Sequence, residues 1–415
     1  MSVPFLSNSD VSTMRDLLEV DLLDDIYLKN NLLSWFPKGP GEGDVWKVPL
    51  RIAGTTQHGA DDVNGIAGVS GVRPVFNNFI INWMPTYGFA EVPMTSIALS
   101  QNKDTGAVPL LVDAVRDARK SCARDVELAL AGDGYGTRGV IKSNTNPSGV
   151  IYVLTLTNIS DAMPINIGDS LVSNASTTTT SLDTGSFTVT GVDRDAGTIT
   201  GNAIGGWTPT NTHNLYLSLD KLTSVGIGNP SKFFGLSGFL PTNSTARTAT
   251  FANVDRSQDP QNLAGCYLTA SSTAIRAGIN AMIAKILPKQ DANPSQLFMS
   301  ANTMMALMNE LNNSVRYTEV EVEGTVNFEG IQFSTTMGKA KASFAIGIPD
   351  NLIYVLTRDS WLYGSPISGD VVQSATNFGK DYVDSYNKVA AQVRQWSFGA
   401  LRCNAPGLNG VILLT

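Results

Sequence analysis

A chain of 415 residues has length for two or three cores, and 42% hydrophobic residues against only 16% charged ones leaves much of its polar surface to Ser, Thr, Asn and backbone. Such a surface, short of charge and rich in glycine, is weakly protected against association and suits a protein that lives among copies of itself. A net charge of -7 argues against a protein whose main work is gripping phosphates, and three scattered cysteines, Cys122, Cys266 and Cys403, spell neither a disulfide framework nor a four-ligand zinc site.

The first ten residues lack the basic start and apolar core of a signal peptide, and no apolar run is long enough to span a bilayer, so folding in a cytosol without a membrane partner is expected. From Ser12 to Phe36 apolar and acidic positions alternate at helical spacing up to Pro37. This predicts an amphipathic N-terminal arm (1–45) or a surface helix docked on its own domain. WKVPLRI and VFNNFIINWM then read as two strands joined by the Gly-rich stretch around Asn64, an extended hairpin loop (46–102) that reaches for a partner. Asp104 to Ala131 reads as a long helix: Leu111, Val115, Ala118, Cys122, Val126 and Ala129 recur at three or four residues. The opposite, charged face carries Asp113, Arg116, Asp117, Lys120, Arg124 and Glu127, and Gly132, Gly134 and Gly136 stop the helix, giving a unit over 103–142.

Ser143 to Thr223 shifts to Thr, Ser and Asn with strands such as VIYVLTL, SLVSN and SFTVTGV, an all-β insertion (143–223) placed inside another domain. A mixed region (224–384) follows, with helices at Ser272 to Leu287 and Asn302 to Leu311 and strands at QLFMS, Tyr317 to Glu323, Ile331 to Thr335 and Leu352 to Thr357. Return strands (385–415) close the chain around Tyr386 to Trp396 and Gly410 to Leu414. The fold class is therefore α+β.

The motifs for chemistry fall away one by one. Gly134, Gly136 and Gly139 match the dinucleotide fingerprint in letters, but a helix precedes them and a strand follows, the reverse of what a pyrophosphate site needs. His58 and His213 lie in separate modules. Glu319, Glu321 and Glu323 alternate with valines as the wet face of a half-buried strand, able to repel unwanted copies or meet a basic surface on a wanted one. No cofactor, metal or catalytic residue is expected.

The order of parts is informative: arm, long hairpin, long helix, Gly-rich stop, β insertion, mixed region, return strand. With LALAGDGYGTRGVI at Leu128 to Ile141, GLSGFLP at Gly235 to Pro241, VDRSQDP at Val254 to Pro260, NNSVRYT at Asn312 to Thr318 and APGLNGVILL at Ala405 to Leu414, the chain resembles the major capsid proteins of tailed bacteriophages. The resemblance implies the Hong Kong 97 phage shell fold, with spine-helix peripheral and axial domains. It implies a homo-oligomer of pentamers and hexamers enclosing double-stranded DNA without sequence-specific binding, in a virion assembled in the host cytoplasm. Portal and decoration proteins are the implied partners, and a separate scaffolding protein, since only a short arm precedes the hairpin. No lysine occurs from Val48 to Asn102, so a shell held by non-covalent contacts is expected. Asp61 and Asp62 would face a neighbour's basic groups and Arg51 and Arg73 its acidic ones. Trp46, Phe76, Ile80 and Trp83 would overlap the next subunit or pack on their own domain. An encapsulin-like compartment shell and a β-rich adhesin or carbohydrate-binding protein are the alternatives.

Overall fold

The computed structural model describes residues 31–53, 75–93, 110–147, 149–175, 182–218, 220, 232–289, 292–312, 331–335, 338–366, 371–374, 383–384 and 390–415. It begins with a five-residue helix, α1 (Asn31–Trp35), whose Leu32 and Leu33 are buried, and a short strand, β1 (Lys38–Pro40). Most of the expected arm lies outside the described residues.

Strands β2 (Val45–Ala53) and β3 (Val75–Asn82) pair antiparallel, with Trp46 opposite Ile81 and Val48 opposite Phe79. The base of this hairpin is buried and its outer end is not: Phe79 and Ile81 have no exposure, whereas Val75 is 49% and Phe76 63% exposed. The strand expected to run on through Met84 instead breaks at Trp83, and β4 (Met84–Pro93) starts beyond it. Helix α2 (Leu110–Ala131) lies across β4. At about 1.5 Å per residue it is a rod of roughly 33 Å. Its buried stripe, Ala118, Cys122, Ala123, Val126 and Leu130, is made mostly of small residues, so the sheet comes very close. A Cβ on Gly88 of β4 would stand 2.4 Å from the carbonyl of Ala118, and only glycine fits there. Positive φ at Gly134 and Gly136 then turns the chain out of the helix.

The insertion is a closed six-stranded barrel of β5 (Gly139–Thr145), β6 (Ile151–Leu156), β7 (Ser170–Asn174), β8 (Ser186–Asp193), β9 (Thr198–Ile204) and β10 (Asn214–Leu217), in the order β10-β5-β6-β9-β8-β7. Its first strand begins at Gly139, ahead of the Ser143 read from composition. Ile141, Leu154, Phe187, Val189, Ile199, Trp207 and Leu215 fill a core that belongs to the barrel alone.

Beyond the barrel come a helical turn at Leu236–Phe239 and a small hairpin, Thr250–Phe251 with Val254–Asp255. The axial region then alternates strands and helices: β11 (Cys266–Ala270), α3 (Ile275–Ile286), β12 (Gln296–Met299), α4 (Ala301–Asn312), β13 (Ile331–Thr335), β14 (Gly338–Phe344) and β15 (Leu352–Leu356). The chain closes with β16 (Trp361–Ser365), β17 (Gln373–Ser374), β18 (Val383–Asp384), β19 (Ala390–Cys403) and β20 (Gly410–Leu414). The axial sheet runs β11-β20-β15-β12-β14-β13. Its central strands β12 and β15 are buried at every position, as strands covered on both faces are. One face, Leu297, Met299, Ile353, Val355 and Ile412, packs on α3 and α4. The other, Phe298, Tyr354, Leu356 and Val411, joins one core with α1, α2, the hairpin base and Trp361. The second sheet is organised by β19, which pairs with β4 over its first part and with β16 at its end, with β1 parallel to β16.

Candidate assembly surfaces

Of the side chains singled out on the hairpin, Trp46 and Trp83 are turned into the chain's own core. Their rings stack with centroids 4.9 Å apart, the Arg402 guanidinium lies 4.7 Å from the Trp46 centroid, and Trp83 Nε1 donates to the carbonyl of Gly43 at 2.9 Å. A Cβ at Gly364 of β16 would strike Trp46 at 2.4 Å, so the sheet is cut to receive the ring. Each tryptophan is 7% exposed, packed on its own domain, the second of the two alternatives read for them. Ile80 is half-buried, and Phe76 is the apolar side chain that stands open. Arg51 sits in β2 opposite Phe76. Asp61, Asp62, Arg73, Glu319, Glu321 and Glu323 lie outside the described residues.

Glu127 also departs from its reading as a solvent-facing charge. It has no exposure, and its two carboxylate oxygens accept the backbone N–H groups of Leu32 and Leu33 at 2.9 and 2.8 Å. The spine helix thus supplies acceptors for two N–H groups of α1's first turn. Burial pushes its pKa up to about 7 while the two N–H bonds pull it down.

The stretches that carried the family resemblance act as clamps. Arg256 is 1% exposed, lies 3.8 Å from the Phe251 ring centroid and donates to the carbonyls of Gly238 and Phe239. Burial and nearby Arg247 lower its pKa to about 9. Asn409, fully buried, accepts from Thr357 N–H at 2.8 Å and Trp361 Nε1 at 2.9 Å through one oxygen, and its amide donates to Ser360 Oγ and the carbonyl of Ala405. All of these bonds tie elements together, and none presents a reactive atom to solvent.

The thiols of Cys122 and Cys403 are pushed up to about 12 by burial, far from the thiolate that reactivity requires. In the barrel, Asp183 Oδ2 lies 2.7 Å from His213 Nδ1 and accepts from Ser173 Oγ at 2.5 Å, while Trp207 Nε1 donates to that hydroxyl. The carboxylate stands between serine and imidazole, so the histidine has no contact through which to take the serine proton. This is bracing, and it differs from a catalytic triad in the order of its members. Among the described residues no three His, Cys, Asp or Glu are grouped to hold a metal, and no helix is long and apolar enough to cross a membrane.

Two aromatic side chains lie open on the sheet. On the face of the β4–β19 ribbon away from α2, Tyr87 and Phe89 are 48% and 51% exposed and stand opposite Trp396 and Arg394 in register. Trp396 stacks on Phe398 with centroids 6.3 Å apart. Contiguous exposed aromatic surface of this kind marks an interaction face. Period-two spacing in β4, had it been read as a strand, would have found Tyr87 and Phe89.

No family model matches the chain, and no curated protein matches it. Solved structures do. The cyanophage A-1(L) capsid asymmetric unit superposes with a TM-score of 0.53 at 11% identity, over 93% of this chain and 92% of that one. The capsid of a native GTA particle gives 0.48 at 7% identity over 92% and 89%, and the holo-SrpI encapsulin complex of Synechococcus elongatus 0.41 at 7% over 100% and 90%. At such identities the cyanophage likeness shows the fold: the α+β architecture of hairpin, spine helix and axial sheet is that of phage capsid subunits.

Proposed function

We propose that this chain is the major capsid protein of a tailed phage, which self-assembles as pentamers and hexamers into an icosahedral shell enclosing double-stranded DNA. The observation that carries the reading is the end-to-end likeness to a phage capsid subunit, covering more than nine-tenths of both chains. A projecting hairpin that exposes Phe76 and a ribbon that exposes Tyr87 and Phe89 support it, because a shell subunit has to present apolar surface that only a neighbour covers. The chain's work on this reading is structural. A separate scaffolding protein guides closure, a portal occupies one vertex, and a decoration protein has the outer surface to bind.

Expression with the neighbouring genes followed by electron cryo-microscopy tests this. Closed shells with fivefold and sixfold clusters of this chain are expected, and a protein that stays monomeric beside its scaffold overturns the reading. Purified shells, boiled and reduced, should run as one band near 44.2 kDa. A ladder of multimers would refute the non-covalent part alone.

A further inference from the structure

Asn409 and Gly410, where the chain enters β20, form the dipeptide most prone to lose its side-chain amide in water, and the packing asks for both residues. Asn409 is fully buried with both ends of its amide engaged: the oxygen accepts from Thr357 N–H and Trp361 Nε1, and the nitrogen donates to Ser360 Oγ at 2.9 Å and to the carbonyl of Ala405 at 3.0 Å. That set calls for an acceptor and a two-hydrogen donor on one short side chain, which an aspartate does not provide. Gly410 is asked for by α3: a Cβ there would stand 2.4 Å from Met282 Sδ and 3.1 Å from Ile286 Cδ1, two side chains without exposure.

The reaction that threatens the pair is a ring closure. The Gly410 backbone nitrogen, having given up its proton, attacks Asn409 Cγ; the N–Cγ bond forms, the Cγ–Nδ2 bond breaks and ammonia leaves. Water then opens the succinimide at either carbonyl, giving aspartate or isoaspartate. Closure requires the Asn409 Cβ and the Gly410 nitrogen to eclipse about the Cα–C bond. The extended backbone of Asn409, with φ -121° and ψ 160°, turns them apart. The sheet keeps it so, because Gly410 pairs with Cys266 of β11 on one side and Val355 of β15 on the other. Once β20 leaves the sheet, the backbone is free to turn and the ring can close.

We propose that Asn409–Gly410 is a modification site that acts as a one-way gate on folding: silent in the folded chain, it deamidates whenever β20 is out of the sheet, and the product chain cannot close the sheet again. Aspartate at 409 puts a carboxylate oxygen where Nδ2 stands, 3.0 Å from the Ala405 carbonyl, so a buried charge meets a second acceptor. Isoaspartate carries the main chain through Cβ and lengthens it by one carbon just ahead of β20, whose residues pair on both sides and tolerate no slip. Chains that linger unfolded are thereby withdrawn from those able to fold, and folded chains are spared.

The test holds the purified full-length chain in mildly alkaline buffer with and without denaturant and follows deamidation by peptide mapping in a mass spectrometer. The chain's other Asn-Gly pair, Asn64–Gly65, serves as the clock for time spent unfolded. In denaturant the two sites should convert at like rates, and without it Asn409 should convert at least about a hundredfold more slowly, since only the opened fraction reacts. Denaturant is then diluted out of half-converted material and the folded fraction is isolated by gel filtration; it should be depleted of product at 409 relative to the misfolded fraction. Asn409→Asp, which makes one product directly, should be recovered folded at a yield several-fold below the parent's. Conversion of Asn409 at comparable rates with and without denaturant, product at 409 shared equally between the two fractions, or a parent-like yield of Asn409→Asp would each overturn the proposal.

Discussion

The barrel and the axial sheet each contain six strands, but one closes on itself around Phe187 and Trp207 while the other is open and has both faces covered by distant parts of the chain. Between the barrel and the body run polar links: Arg138 with Asp125, Arg124 to Met163, and the buried Lys232–Asp220 pair at 2.8 Å. In the axial sheet, by contrast, Phe298 and Tyr354 share a core with Leu33 of α1, Val126 of α2 and Phe79 of the hairpin. A self-contained core confines damage, and a shared one spreads it.

The sharpest break of this contrast is a pair of truncations. Phe239 is fully buried among Phe79, Phe251 and Trp361, and Phe239→Ala should cost about 3–5 kcal/mol and lower the denaturant midpoint of the whole body. Trp207→Ala should cost a similar amount but melt the barrel alone, leaving exchange protection in α3 and the axial sheet as it was. If both variants unfold the chain in one step, the two cores are not independent.

Asn409→Ala is expected to come next. It strips an acceptor from Thr357 N–H and from Trp361 Nε1, two buried donors at the meeting point of the sheets, and should cost about 2–4 kcal/mol in denaturant unfolding. A loss below 1 kcal/mol would mean that water or a neighbour replaces the oxygen.

Glu127 adds a pH signature to the shared core. Its folded pKa, about 7, lies above the ordinary 4.5, so its contribution to stability is fully present below about pH 4.5 and is lost as pH rises through about 7. The span corresponds to roughly 3 kcal/mol. Between those pH values the parent's unfolding midpoint should fall more steeply than that of Glu127→Gln, which keeps one acceptor for the two α1 amides; parallel profiles would contradict the assignment.

The smallest effect on the isolated subunit should come from Phe76→Ser, within about 0.5 kcal/mol because the ring is already in solvent. Shell yield is where the loss should appear. Unchanged assembly would remove this side chain from the interface.

How much of this was legible in the sequence follows from what each element rests on. The spine helix rests on a 3.6-residue stripe, and Ala118, Cys122 and Val126 announced it; SLVSN, with its turn residues on both sides, coincided with β7. By contrast β4, MPTYGFAEVP, reads as a loop because Pro85, Gly88 and Pro93 interrupt it. Those breakers are tolerated by the close approach of α2 at Gly88 and by Pro85 and Pro93 lying near the ends of the strand. Strand β5 was legible only as the strand that follows the glycines, without its bounds, because Lys142, Ser143 and Asn144 come after its one fully buried hydrophobic side chain, Ile141, and barrel closure is what carries the strand on to Thr145. Glu127 looked solvated because its partners, two backbone amides some 95 positions earlier, leave no trace in side-chain spacing. On the hairpin the two readings of the tryptophans stayed open in the sequence, because a large ring on such a strand reads the same whether it meets a neighbour or, as Trp46 does, a notch left by Gly364.

The barrel's first and last strands are neighbours, with Val140 directly opposite Asn214. In such an antiparallel pair the two backbones stand about 5 Å apart. To the spine helix and axial sheet, everything between them is one loop with adjacent ends, and the entropy of closing a loop grows only as the logarithm of its length. Exchanging the barrel for a short turn, or for another closed module with adjacent termini, should therefore leave the spine helix and the axial sheet folded. In genetic terms the barrel is a cassette, open to recombination in a single in-frame event, and, on the shell reading proposed above, a place where a foreign epitope or enzyme can be mounted in every subunit.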